Sequence, residues 1–257
     1  INEVTIITNK TNDTNSYSGK TKRASCAYLI LCFLMTCGCS AGNSFESDSA
    51  SFQPDASDKS VRLQVQGRQI VDGNGNPVNL RGIYTRAEWL SSEQEVEWFK
   101  EWGVTFVRML LTYDKDYWNV VNNGEVDLNK RCILREENLL EMDRKCAWLE
   151  KNKIYFIIEF PWRWYGIGQE FKDVDLLSKQ CARLYANLAE RYKDYNYLVG
   201  YCMFSEIYVA PWYYQHYKKV CTAIVDAVRK VDPKRILSVT GVQVSGVDSF
   251  KNETHIE

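Results

Sequence analysis

The chain has 257 residues, 45% of them apolar, enough for one sizeable core or two small domains. With 32 basic against 33 acidic residues, its formal net charge is −1 and there is no long basic run, which argues against nucleic acid as the main partner. Aromatic residues reach 13%, with 8 Trp and 16 Tyr, a content that fills a core or lines a groove for flat, weakly polar ligands such as sugars.

The first sixty residues differ from the rest. Residues 1–19 are polar and rich in Asn and Thr, and the chain does not begin with Met. Lys20, Lys22 and Arg23 precede an apolar run, Ala27–Met35, and Thr36-Cys37-Gly38-Cys39-Ser40-Ala41-Gly42 follows. A positive stretch, a short apolar run and a small-residue exit form the pattern of a signal peptide. The run is well short of the roughly 20 residues of a membrane span. Leu34-Met35-Thr36-Cys37 resembles a bacterial lipobox, with Cys37 as the lipidated residue and Cys39 as the alternative; an ordinary signal peptide with incidental cysteines is the other reading. Residues 1–39 are thus expected to be a polar extension and signal peptide, 40–60 a Ser/Asp-rich flexible tether, and 61–257 the domain. The expected location is exported: a cell-surface or periplasmic lipoprotein meeting the membrane only through its lipid anchor, or else a secreted protein.

Four of the nine cysteines, Cys26, Cys32, Cys37 and Cys39, lie in the signal region. The domain keeps Cys132, Cys146, Cys181, Cys202 and Cys221, an odd set whose spacings fit no metal site, beside only two His. No metal and no cofactor is expected. Cys202 reads as a buried thiol within a strand. One disulfide among the others suits an exported protein, and sequence cannot pair them.

Leu63–Leu80 alternates around Asp72-Gly73-Asn74-Gly75-Asn76-Pro77, which predicts a β-hairpin turned by Asn-Gly chemistry. Strands are then predicted over Val78–Tyr84, Thr105–Leu111, Ile154–Phe160, Tyr197–Ser205 and Arg235–Thr240. Helices are predicted over Glu93–Trp102, closed by Gly103, and over Glu136–Asn152, Val174–Tyr192 and Trp212–Val231. Strands alternating with helices indicate parallel βαβ units, and apolar runs such as Tyr155–Ile158 suit strands covered on both faces. Gly241–Glu257 is polar and loop-like. A complete eight-stranded barrel takes about 250 residues. The expectation is therefore an α/β fold, a partial (β/α)8 TIM barrel with about five of eight βα units and an N-terminal β-hairpin, as a fragment of a longer reading frame. A five-stranded open α/β domain competes with it.

Leu198-Val-Gly-Tyr-Cys-Met-Phe-Ser-Glu206 is a short apolar strand ending on one carboxylate, between two helices. Barrel enzymes place catalytic groups at such C-terminal strand tips, and a charge there is costly unless it is used. The competing reading of Glu206 is a solvated acid at a strand end.

Three motifs in this order resemble glycoside hydrolase family 5, the cellulase and mannanase family of (β/α)8 barrels. They are Ile70-Val-Asp-Gly-Asn-Gly-Asn-Pro-Val-Asn-Leu-Arg-Gly-Ile83, Trp102-Gly-Val-Thr-Phe-Val-Arg108 and the strand ending at Glu206. The resemblance runs from about residue 63 to 250. It implies that Glu206 is the general acid/base. It implies that Arg108 supports the nucleophile carboxylate, where the plain alternative is a salt bridge at the barrel mouth. Ser205 stands where the family has Asn, whose side chain donates to the sugar 2-hydroxyl. Glu159-Phe160-Pro161-Trp162 occupies the stretch where many members carry a His. The nucleophile is expected on a seventh strand, which these residues do not reach. Glu159 is tempting as a second carboxylate, but its place suits a structural or substrate-contacting acid better.

Retaining hydrolysis needs two carboxyls about 5–5.5 Å apart, one to attack the anomeric carbon and one to protonate the leaving oxygen. The donor keeps its proton near neutral pH through burial or a neighbouring like charge. Trp89, Tyr113, Trp162, Trp164 and Tyr208, with Ser205, are the expected substrate-binding residues, because rings at strand tips stack on pyranose faces; each alone is as readily packing. The implied function is a retaining hydrolase of O-glycosidic bonds in β-linked glucan or mannan, with polysaccharide or oligosaccharide as partner, and catalytically incomplete over these residues alone. The alternative is a non-catalytic carbohydrate-binding or scaffold lipoprotein on the same barrel. A nucleotide-binding domain is disfavoured, since Gly82-Ile83-Tyr84 offers no phosphate cradle.

Overall fold

The computed structural model describes residues 52–54, 57–111, 132, 134–160, 173–204, 209 and 211–239. The expected signal peptide with Cys37 and Cys39, and most of the expected tether, lie outside them. Phe52, from that tether stretch, lies against Tyr195 with ring centroids 6.1 Å apart, and Lys59–Val61 form a 3-10 turn.

Two short antiparallel strands open the domain, β1 (Gln64–Gln66) and β2 (Gln69–Val71). Their turn is Gly67-Arg68, not the predicted Asp72–Pro77 stretch. Gly67 takes a φ of 60°, which suits the first central position of a type II′ turn. The Asp72–Pro77 stretch makes a second, wider loop. The Asp72 carboxylate accepts from the backbone N–H groups of Asn74 and Asn76, each at 2.9 Å. That loop closes on a single antiparallel bridge, Val71 to Pro77, and Val78 N–H donates to Ile70 O at 3.0 Å. Pro77 has no N–H, so the ladder cannot continue there as the predicted hairpin requires.

Five strands follow, β3 (Gly82–Arg86), β4 (Phe106–Leu110), β5 (Tyr155–Glu159), β6 (Leu198–Cys202) and β7 (Ile236–Ser238). They lie side by side in chain order, every pair parallel. Between them run α1 (Glu93–Glu101), α2 (Glu136–Lys151), α3 (Val174–Tyr192) and α4 (Tyr214–Val231). Sequential parallel strands with a helix between each successive pair are the first part of a (β/α)8 barrel. The first strand of this sheet begins four residues later than Val78, because Val78 and Leu80 pack beneath the sheet beside Leu63 instead of joining it.

The helices start where their sequence can satisfy the first backbone N–H groups. Glu95 reaches back from α1 to accept from Ser91 N–H at 2.7 Å, and Asp173 accepts from Leu176 N–H at 2.9 Å at the head of α3. Leu177, Cys181, Leu184, Tyr185, Leu188 and Tyr192 then repeat at helical spacing along the buried stripe of α3. They meet Val107, Met109, Phe156, Ile158 and Leu237 from the sheet in one core. Each such side chain contributes about 1.5–3 kcal/mol by leaving water.

A second, smaller cluster closes the N-terminal ends of the strands. Leu63, Val199 and Ile236 are buried there, with Val65, Ile70, Val78, Leu80, Phe106 and Tyr155 against them. Polar contacts fix this layer. Tyr155 donates its hydroxyl to Val61 O at 2.9 Å, and Arg62 donates to the Asn196 side chain at 2.7 Å. Glu150 accepts from the N–H groups of Asn196 and Tyr197 at 2.8 and 2.9 Å. Buried Arg235 donates to Lys193 O at 2.8 Å and to Asp232 at 2.7 Å.

Burial, with the charges of Tyr197 and Asp72, pushes the Tyr155 hydroxyl up to about 12 from an ordinary value of 10.0. The folded state therefore holds this proton more tightly than the unfolded chain. The stability it contributes is complete below pH 10.0 and is lost as pH rises toward about 12. Tyr155→Phe is expected to cost about 0.5–1.5 kcal/mol at neutral pH, and to lose less than the native chain on going alkaline. Urea unfolding of both proteins at neutral and alkaline pH checks this; a constant difference between them would refute it.

Candidate active site

In a parallel sheet, paired residues share a face and faces alternate along each strand. Val107, Met109, Phe156, Ile158, Tyr201 and Leu237 face the helices. The alternate set therefore faces the barrel interior. Tyr84, Arg108, Ile157, Gly200 and Ile236 form one layer of it. Arg86, Leu110, Glu159, Cys202 and Ser238 form the next, at the C-terminal ends. Gly200 is required for this layering. A Cβ there would lie 1.7 Å from Ile236 O, so any other residue would push β6 and β7 apart.

Arg108 and Glu159 meet in this interior. The Arg108 guanidinium grips the Glu159 carboxylate with two parallel N–H donors, Nε to Oε2 and Nη2 to Oε1, the latter at 2.7 Å. Register explains the meeting: Arg108 pairs with Ile157, and Glu159 is the next residue of β5 on the same face. The Glu159 side chain is 0% exposed and that of Arg108 is 39% exposed. Burial alone would lower the Arg108 value, but the hydrogen bonds and charge of Glu159 outweigh it and hold it above its ordinary value. The guanidinium also lies over the Tyr84 ring, 5.7 Å from its centroid. Beside them, burial and then the Glu159 charge push the Cys202 thiol up to about 12, so it stays protonated at neutral pH.

Trp89 ends the 3-10 turn that directly follows β3, at the same C-terminal end. It is 60% exposed, and the Arg86 guanidinium lies 5.4 Å from its ring centroid. Trp212, in the turn before α4, is exposed as well. Glu206, Ser205, Tyr113, Trp162, Trp164 and Tyr208 lie outside the described residues. Phe204 is the last residue described before Ser205 and Glu206, and it leads out of the C-terminal end of β6. That exit is fixed by Tyr185 of α3. Its buried hydroxyl contacts Cys202 O at 3.1 Å and Met203 O at 2.5 Å. Nothing in the sequence singles out Tyr185, since a tyrosine on an apolar helix stripe reads as core. Among the described residues, no group of three His, Cys, Asp or Glu side chains is placed to hold a metal ion.

The pair is asymmetric, and so are its expected mutants. Arg108→Met strands a carboxylate with no exposed surface, and is expected to cost about 3–5 kcal/mol. Glu159→Gln leaves a guanidinium that reaches solvent, and should cost less. Adding Glu159→Gln to Arg108→Met should recover much of the loss. A double-mutant cycle in urea measures the coupling; additive losses would show that the two residues do not depend on each other.

The cellulase family profile (glycosyl hydrolase family 5) matches residues 71–255. No curated protein sequence matches the chain. Solved structures share its fold at low identity. The cellulase Cel5C_n is 20% identical, with a TM-score of 0.56 over 72% of this chain and 55% of its own. The catalytic domain of Thermobifida fusca endoglucanase Cel5A is 17% identical, with a TM-score of 0.57 over 77% and 59%. The Saccharophagus degradans β-glucanase SdGluc5_26A is 16% identical, with a TM-score of 0.59 over 81% and 62%, and it has also been solved in complex with cellotetraose. The chain thus spans less than two thirds of the length of these structures. Its family follows from the profile, which covers well over half of its residues: the chain belongs to glycosyl hydrolase family 5, the cellulase family.

Proposed function

We propose that this chain contributes the acid/base half of a retaining β-glucan hydrolase. Glu206 is the proton donor, and Arg108 braces the nucleophile carboxylate supplied by a strand beyond β7. The observation that carries the reading is Arg108. It stands in the barrel interior, oriented by Glu159, between the exposed Tyr84 of β3 and the strand that leads to Glu206. A guanidinium with both faces of its fork fixed presents its remaining edge in one direction, which is what bracing an attacking carboxylate requires. It also favours the ionised form of that carboxylate, so that the attacker stays charged while Glu206 keeps its proton.

Tyr84 within β3 and Trp89 in the turn after it both expose their rings. Rings so placed stack on the apolar faces of pyranose units, and Tyr113, Trp162, Trp164 and Tyr208 extend the same platform in this proposal. The cellotetraose bound by the Saccharophagus degradans enzyme supports β-linked glucan over mannan as substrate. Ser205 takes the place of the family Asn, with its hydroxyl donating to the sugar 2-hydroxyl. Export through the signal region, with a lipid on Cys37 or Cys39, places the enzyme where polysaccharide is met.

The test is kcat/KM on a cello-oligosaccharide and on an activated aryl glucoside, in the protein that spans the full length of the family barrel. Glu206→Ala is expected to lower turnover of the oligosaccharide by about 10²–10⁴-fold. It should spare the aryl substrate, whose leaving group departs without a proton. Equal and small losses on both substrates would remove Glu206 as the acid and favour a carbohydrate-binding scaffold. Ser205→Asn is expected to keep or raise turnover.

A further inference from the structure

We infer that Cys132 and Cys181 form a disulfide when this chain folds in an oxidising compartment. Their Sγ atoms lie 3.5 Å apart, both within the protein interior, across 49 residues of chain. Of the five domain cysteines this is the pair whose sulfurs are in contact, and each of the five is buried. Cys132 lies four residues before α2, and its backbone adopts a left-handed φ of 57°. That conformation is costly for a residue with a Cβ, and it aims the thiol at α3. Cys181 sits at the start of the third turn of α3 on the buried stripe, four residues before Tyr185, so its sulfur is held by packing. Cys146, Cys202 and Cys221 are placed differently: burial pushes each of their thiols up, on three separate elements.

The step balances with a small-molecule disulfide as oxidant. One cysteine thiolate attacks the oxidant's S–S bond, releases one thiol and forms a mixed disulfide. The second cysteine thiolate then attacks its partner's sulfur, forms the Cys132–Cys181 bond and releases the other thiol. Two electrons pass from the protein thiols to the oxidant, and two protons end on the two released thiols. Because both sulfurs are buried, the exchange belongs to folding, before the α2–α3 interface closes. The bond ties the end of the β4–α2 connection, which carries Tyr113, to the helix that fixes the exit of β6 toward Glu206. It closes a 49-residue loop, so its stabilisation acts by restricting the unfolded chain.

The experiment folds the full chain with glutathione disulfide or with excess reductant, then maps non-reduced peptides by mass. The expected result is one linked species joining the peptides of Cys132 and Cys181, lighter by two hydrogens. The oxidised chain should melt roughly 5–10 °C above the reduced one. Cys132→Ser and Cys181→Ser should each abolish the linked species and the dependence of Tm on oxidant. Failure to find that linked peptide in the native chain, linkage of a different pair, or linkage without a rise in Tm would each overturn the inference. Peptide mapping of the native chain decides the matter even where a serine variant does not fold.

Discussion

A carboxylate with no exposed surface has to be answered by a charge, and Glu159 is answered by Arg108 across one strand interface. That requirement fixes much else. The two side chains meet only if β4 and β5 keep the register that pairs Arg108 with Ile157, because a slip of one residue would turn one of them toward the helices. The register is held in turn by the apolar layer on the opposite face, where Val107, Met109, Phe156 and Ile158 are sealed against α2 and α3. The site is thus not laid over a finished scaffold. It is one of the constraints that choose the scaffold's alignment.

The two ends of the strands carry opposite kinds of order. At the N-terminal end, an apolar layer and the bonds of Tyr155, Glu150 and Arg235 to the backbone, with that of Arg62 to the Asn196 side chain, tie loops together. Toward the C-terminal end, Tyr84, Trp89 and Trp212 remain open to solvent, and the buried-carboxylate ion pair sets a guanidinium rather than a loop. This division, stability below and chemistry above, is the general economy of barrel enzymes.

Much of this could be read before any coordinates. The five parallel strands declare themselves as short apolar runs between helical periods, and Val174–Tyr192 appears with the predicted limits because Asp173 caps it and its apolar stripe is unbroken. Arg108 is legible through the motif that precedes it. What stays hidden depends on register or on proximity across long separations. Glu159 and Arg108 are 51 residues apart, and nothing in either segment announces the other. The turn at Gly67 is masked by the stronger Asn-Gly signal nearby, since turn chemistry marks where a chain can reverse and not which strands then pair. Tyr185 and the contact of Cys132 with Cys181 are invisible for the same reason: a helix stripe states that a residue is buried, not what it touches.

The closure beneath the barrel has a consequence in time as well as in space. Val61 receives its bond from a residue 94 positions later, and Arg62 finds its partner 134 positions later. The surface they dock on exists only after the starts of β5 and β6 have been brought together, so the stretch that opens the domain is placed among the last. Loop-closure entropy sets the pace of such an assembly, which makes folding slow for a domain of this size. During that delay the apolar undersides of Phe106, Tyr155 and Ile236 stand uncovered, and the opening hairpin acts as the stopper that ends the exposure.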